Sequence, residues 1–311
     1  MGRKKIALIG GGQIGQILAL LAAQREFGDV TIFDIPQFEG PVKGKALDLW
    51  EVSPVEGYDC NLQGTSDYKD IAGADVVIIT AGLPRKPGMS RDDLLATNVK
   101  IISDVAKNVK EYAPDAFVIV VTNPLDAMVY TFHKVSGFPK ERVCGMAGVL
   151  DTARWRAFIA MELNVSVEDV AGTVLGGHGP TMVPLPRLTT VGGVPLPELL
   201  DAETIERIAK RTREAGTEIV KLFGNGSAFF SPAGSAIQMA ESYLLDKKRV
   251  LPCAALCEGE YGIDGLFIGV PCRIGAGGVE KIYEITLEDE ERKLLEATVQ
   301  AVKKTVGEVN V

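Results

Sequence analysis

The 311-residue chain has two histidines, and one stands where a packed core would seldom place it. His178 lies in Leu175-Gly176-Gly177-His178-Gly179-Pro180, and the flanking glycines would let a ligand come close to the ring. An imidazole with a near-neutral pKa can both give and accept a proton. That suits a hydroxyl–carbonyl interconversion, in which hydride transfer to the carbonyl leaves an alkoxide that needs a proton. His133 falls in a helical pattern, Leu125–Ser136, and reads as a solvated surface residue. Asp151 and Arg154 lie three apart near the start of another helical pattern, so they share one face. An aspartate can hold an imidazole in one tautomer and favour its protonated form, and an arginine offers a planar fork that matches a carboxylate. Taken alone, the pair reads as an ordinary surface ion pair.

A basic loop, Ala81-Gly82-Leu83-Pro84-Arg85-Lys86-Pro87-Gly88-Met89-Ser90-Arg91, follows an apolar strand pattern and precedes a helix. It therefore belongs at the carboxyl edge of a sheet, where α/β folds bind ligands. Its Gly and Pro content suits a segment that closes over a substrate, bringing Arg85 and Arg91 to the site. Taken alone, such a loop is usually solvated. The next strand ends Val121-Thr122-Asn123-Pro124, which puts Asn123 at the same edge; Asn123-Pro124 can be cis, although most such bonds are trans.

The N-terminal turn Gly10-Gly11-Gly12-Gln13-Ile14-Gly15 follows one strand, opens a helix, and has Asp34 about 20 positions on, at the end of the next strand. Gly10 allows the tight turn, Gly12 the approach of a pyrophosphate, and Gly15 close packing of helix on strand. The unpaired N–H groups of the helix start face the phosphates. Asp34 can accept both adenosine ribose hydroxyls and would repel a 2′-phosphate, so NAD is favoured over NADP.

These residues need a frame. Strand patterns at Lys5–Ile9, Asp29–Phe33, 61–64, 74–80, 116–121 and 142–144 alternate with helical patterns at Gln13–Phe27, 42–52, Arg91–Tyr112 and Leu125–Ser136. Such alternation implies an α/β fold, a doubly wound parallel sheet of Rossmann type. From residue 148 the pattern changes. Helices at 150–163, 202–222, 235–245 and 287–306, with strand-like runs at 250–257, 267–273 and 279–283, predict a second, α+β substrate domain. The expected division is 1–147 and 148–311, with no flexible linker between the halves.

Composition narrows the class. The formal charge of −8 argues against a nucleic-acid partner, which needs a basic surface, but not against a small anion held by a few buried arginines. No apolar run is long enough to span a membrane. The basic start Arg3-Lys4-Lys5 runs into a glycine turn rather than a cleavage site, so it reads as a first strand and not a signal peptide. The five cysteines form no metal-type pattern and read as buried free thiols in a reducing cytoplasm; no metal is expected.

Taken together, the motifs resemble the lactate/malate dehydrogenases, specifically their lactate-dehydrogenase-like malate branch, over nearly the whole chain. The carriers are Gly10–Gly15, Asp34, Lys43-Gly44-Lys45-Ala46-Leu47-Asp48, Ala81–Arg91, Thr122-Asn123-Pro124-Leu125-Asp126, Gly148–Arg154 and Gly176–Gly179. The resemblance implies His178 as proton donor and acceptor backed by Asp151, Arg154 on the substrate carboxylate, and Arg91 polarising the carbonyl. It further implies Asn123 between substrate and nicotinamide, with Asn98 and Val121 lining the cofactor. Lactate dehydrogenases typically carry glutamine at the position of Arg85 and malate dehydrogenases arginine. Physics agrees, since the second carboxylate of oxaloacetate needs a cation and the methyl of pyruvate would leave one unpaired.

Two positions depart from the family pattern. Pro180 stands where Asp commonly follows His-Gly, so a contact near His178 is missing or replaced. Ser231 stands where malate dehydrogenases often have alanine and lactate dehydrogenases threonine. The rival readings are the same chemistry on another 2-keto acid such as pyruvate, an NAD-dependent glycosidase, and a non-catalytic NAD-binding protein. The glycosidases are longer and bind a metal, and the complete set of His178, Asp151, Arg154 and Arg91 argues against a protein without turnover. The resemblance also implies a cytoplasmic homo-oligomer, a tetramer before a dimer.

Overall fold

The computed structural model of the chain describes residues 2–83, 91–224 and 226–311, with positions 91 and 92 as backbone alone. Six parallel strands form the first half: β1 (Lys5–Ile9), β2 (Asp29–Phe33), β3 (Leu62–Thr65), β4 (Val76–Ile79), β5 (Phe117–Val120) and β6 (Val143–Gly145). Their spatial order is β3-β2-β1-β4-β5-β6, so the chain reverses direction across the sheet beside β1. Ligands of doubly wound sheets bind at such a switch point. Alternate side chains feed two cores, as a period-2 backbone requires. Ile6, Leu8, Val76, Ile78, Phe117 and Ile119 pack on one face, and Ala7, Ile9, Val77, Ile79, Val118 and Val120 on the other. Helices α1 (Gln13–Gln24) and α2 (Glu39–Glu56) join the first core, and α3 (Arg91–Tyr112) and α4 (Leu125–Ser136) the second.

The sheet continues past β6. Strands β12 (Arg249–Glu258), β13 (Asp264–Gly275) and β14 (Gly278–Ile282) add antiparallel to its edge, giving nine strands in one sheet among the described residues. The joint is the pair Ala254↔Gly145. A Cβ at Gly145 would sit 2.6 Å from Val129 Cγ2 and 3.0 Å from the Ala254 Cβ, so only glycine lets the two strands meet there. The halves distinguished by sequence pattern thus share a continuous sheet.

The second half also contains α5 (Gly148–Leu163), short strands β7 (Val170–Ala171), β8 (Val174–Leu175), β9 (Val183–Pro184), β10 (Thr190–Val191) and β11 (Val194–Pro195), and the one-turn α6 (Leu196–Leu199). Two long helices, α7 (Ala202–Phe223) and α8 (Phe230–Leu244), precede the sheet extension, and α9 (Asp289–Gly307) closes the chain. Helix α8 starts five residues before the expected Ser235. Pro232 falls in its first turn, where the missing N–H has no intrahelical partner to lose.

Helix α4 corrects another expectation. It is largely buried, and His133 is a half-buried ring set edge-on to Phe267 with centroids 5.2 Å apart, not a solvated residue. Burial, the largest influence, lowers its pKa. The five cysteines are all buried and free. Among the described residues no helix is long and apolar enough to cross a membrane.

Candidate active site

The glycine turn fits a dinucleotide in its backbone. Gly10 has φ +113°, and a Cβ there would lie 2.6 Å from Thr80 Oγ1. A Cβ at Gly15 would lie 2.1 Å from the Gly10 carbonyl oxygen, so the first turn of α1 can close on the strand only without a side chain. Gly12 differs: its added Cβ would meet open space, the side from which a phosphate could approach. No side chain caps α1 at Gly12 and no acid sits in its first turn, so its first N–H groups and positive dipole end remain available. At Gly11, Lys45 Nζ donates to the carbonyl oxygen, and the N–H donates to Asp34 Oδ2 at 2.9 Å. Ile35 N–H donates to Asp34 Oδ1 at 2.8 Å. Each carboxylate oxygen keeps capacity for a further donor, as a ribose hydroxyl would be.

The loops after β4 and β5 are tied to each other at the same sheet edge. Thr122 Oγ1 donates to the Ala81 carbonyl at 2.8 Å. Asn98, on α3, is only 1% exposed. Its Nδ2 donates to Asn123 O at 2.7 Å, and its Oδ1 accepts Leu83 N–H at 2.8 Å. Its side chain therefore holds the flanks of both loops, while Val121 lies buried at the end of β5. Asn123 is exposed at the turn, and its peptide bond to Pro124 is cis. Arg85 lies outside the described residues, as does the Arg91 side chain.

The structure brings His178, Asp151 and Arg154 together. One carboxylate serves both side chains: Asp151 Oδ2 lies 3.0 Å from His178 Nδ1, and Oδ1 lies 3.5 Å from Arg154 Nη1. Asp151 is 2% exposed, and the His178 and Arg154 side chains 16% and 12%. The arrangement is thus not the solvated i,i+3 pair that spacing alone would suggest. Because Asp151 can only accept, Nδ1 carries the hydrogen, which leaves Nε2 as the nitrogen free to exchange a proton. Burial works against the charged ring, but the charge and hydrogen bond of Asp151, helped by Asp126, outweigh it and raise the His178 pKa; Arg154 opposes them. His178 lines a cavity of about 510 Å³ between the start of α4 and the last turns of α9.

Glycines beside His178 serve mainly the protein's own packing. The φ of Gly176 is +92°, and its backbone exchanges two hydrogen bonds with Gly269 of β13, at 2.9 and 3.1 Å. A Cβ at Gly177 would lie 2.4 Å from Val302 Cγ2. Only Gly179 opens onto free space.

Sequence reasoning missed two residues of this loop's support. Thr298 of α9 accepts Gly177 N–H on its Oγ1 at 3.0 Å, and Asp126 accepts His178 N–H on its Oδ2 at 3.1 Å. Asp126 stood inside a quoted motif without a role. Thr298 sits in an ordinary amphipathic pattern and gives no signal.

Comparison with known proteins identifies the family. Residues 4–145 match the family model for the lactate/malate dehydrogenase NAD binding domain, and residues 148–310 that for the lactate/malate dehydrogenase alpha/beta C-terminal domain. A malate dehydrogenase of Myxococcus xanthus is 62% identical over 308 residues, covering 99% of this chain and 98% of that protein. The fold superposes equally well on two Cryptosporidium parvum structures, both with TM-score 0.96 and 46% identity. One is a malate dehydrogenase, covering 99% of both chains. The other is a lactate dehydrogenase solved with lactic acid and nicotinamide adenine dinucleotide, covering 99% of this chain and 98% of that one. Matched through both halves and over nearly its full length, the chain belongs to the lactate/malate dehydrogenase family of NAD-dependent oxidoreductases.

Proposed function

We propose that the protein is a malate dehydrogenase catalysing (S)-malate + NAD⁺ ⇌ oxaloacetate + NADH + H⁺. The observation that carries this reading is the buried cluster in which Asp151 orients both a proton carrier and a guanidinium. His178 Nε2 gives its proton to the nascent alkoxide in one direction and takes it from the hydroxyl in the other. Arg154 holds the carboxylate beside the reacting carbon, Arg91 polarises the carbonyl, and Asn123 contacts substrate and nicotinamide. Bound NAD supplies the hydride chemistry. Gly10, Gly11, Gly12, Gln13, Ile14, Gly15 and Asp34 hold it, with Asn98 and Val121 shaping the nicotinamide side.

Fold likeness does not discriminate malate from lactate, since structures of both kinds match equally well. Two things favour malate: the name of the 62% identical relative, and Arg85, which would neutralise a second carboxylate. A charge-assisted pair contributes about 1.5–3 kcal/mol, tens- to hundredfold in discrimination. Wild-type enzyme should therefore oxidise NADH far faster with oxaloacetate than with pyruvate. Arg85→Gln should remove at least a tenfold share of that ratio, on the order of one lost pair. Undiminished preference for oxaloacetate in the variant would remove Arg85 from the role.

The same reading makes this a cytoplasmic enzyme of the tricarboxylic acid cycle, divided at residues 147 and 148, near where the two family models meet. It also makes the protein a homo-oligomer, tetramer before dimer. Exposed Leu47 and Trp50, one turn apart on α2, are apolar surface of the kind an interface covers. Sedimentation equilibrium should give four times the chain mass; a monomer would contradict the assignment.

A further inference from the structure

We propose that Asp126, at the start of α4, is a positioning residue for His178, gripping it through the backbone while its charge supports the protonated ring. The inference rests on the reading of His178 as the proton donor and acceptor. Three observations carry it. First, Asp126 Oδ2 accepts the His178 backbone N–H at 3.1 Å, the anchor of that residue to the α4 side of the site. Second, Asp126 is buried, and its Oδ1 has no hydrogen-bond partner among the described residues. A buried, half-satisfied carboxylate is costly and calls for an explanation. Third, Gly177 keeps the backbone close, since a Cβ there would lie 3.2 Å from Asp126 Oδ2.

The grip is two-sided. Asp126 holds His178 from α4 while Asp151 holds the ring from α5, and Thr298 of α9 fixes the preceding N–H. The charged groups around Asp126 are therefore His178 in the loop, Asp151 and Arg154 on α5, and Lys304 and Glu308 of α9, which line the same cavity. From α3 the cavity receives apolar Leu94 and Leu95. Burial raises the Asp126 pKa to about 6, with the His178 charge and N–H acting downward and Asp151 upward. The reciprocal holds: an ionised Asp126 adds to the proton affinity of His178. Pro180 adds no acid to the loop, and among the described residues the carboxylate on α4 is the one that accepts the His178 backbone N–H.

Asp126→Asn and Asp126→Ala separate the two parts. Asparagine retains a carbonyl oxygen for the His178 N–H and loses the charge; alanine loses both. Each full-length variant is checked for a cooperative thermal transition and for NADH affinity by fluorescence. Histidine proton NMR then titrates the ring directly, with His133 as internal reference because the chain has only two histidines. In both variants the His178 titration should move to lower pH while that of His133 stays. For oxaloacetate reduction, kcat should fall about 10- to 100-fold in Asp126→Ala, the cost of a misplaced reacting group, and Asn should restore part of it. NADH affinity should not change. An unmoved His178 titration in the folded Asn variant overturns the charge role. A wild-type kcat in Asp126→Ala overturns the grip. The NMR arm reads the Asp126–His178 coupling whether or not oxaloacetate is the substrate, so failure of the functional reading is seen separately, as absent turnover in the wild type.

Discussion

Replacing His178 by glutamine should lower kcat for oxaloacetate reduction by about 10²- to 10⁴-fold, the range in which a positioned general acid contributes. Glutamine can still donate a hydrogen bond from near the position of Nε2 but cannot exchange a proton there. Loss should therefore fall on kcat, while NADH binding, carried by the glycine turn and Asp34 rather than by His178, stays close to that of the wild type. Asp151→Asn gives the complementary result. Asparagine can still offer a neutral carbonyl oxygen to Nδ1–H, but it lacks the charge of Asp151, which is the larger of that residue's two upward influences on the His178 pKa, so the pKa falls. Reduction of oxaloacetate needs the protonated ring, and its rate declines as pH rises through that pKa. The declining limb therefore moves to lower pH in the variant. Malate oxidation needs the neutral ring, and its rising limb moves to lower pH as well. Steady-state rates in both directions across pH, followed by NADH absorbance, check this. Full activity in His178→Gln, or limbs that do not move in Asp151→Asn, would refute the assignments.

The parts of the site legible in sequence are those where local pattern and geometry coincide. At Gly10 and Gly15 the reason for glycine is steric and lies within one strand–turn–helix unit, so spacing suffices to read it. Helices α3 and α4 begin and end where their patterns do. His178 was located by its oddity, but the meaning of its neighbours was not legible. Gly176 and Gly177 are glycine because β13 and α9 press on them, contacts made by residues more than 90 positions away. The same distance effect hid the continuous sheet: a single glycine, Gly145, admits β12 to the edge of the parallel strands, and nothing around it in sequence announces a partner at Ala254. Asp126 and Thr298 escaped for a related reason. Each acts by accepting a backbone N–H of the His178 loop, and backbone donors have no sequence signature. The i,i+3 pair of Asp151 and Arg154 reads as solvated until tertiary packing buries it.

That burial makes Arg154 the second large expected effect. Its Nη1 faces Asp151 at 3.5 Å, and its Nε is buried without a hydrogen-bond partner among the described residues. A guanidinium with donors left over in a mostly buried site is a receptor for an anion. Gly216 of α7 leaves its Nη2 room, as an added Cβ there would come to 3.9 Å. Arg154→Ala should cost kcat/KM for oxaloacetate about 2–5 kcal/mol, tens- to thousands-fold, as for other truncations in a buried charge pair. Arg154→Lys should recover little, because a point charge cannot match a carboxylate with two parallel donors. NADH affinity should hold. The pH profile supplies an independent check with a sign opposite to that of Asp151→Asn. Arg154 opposes protonation of His178, so its removal raises that pKa, and the declining limb of oxaloacetate reduction moves to higher pH. A merely structural arginine would lower activity at every pH without shifting the limb. Opposite shifts from two residues that share one carboxylate would establish that Asp151 sets the protonation of His178 and the placement of Arg154 together.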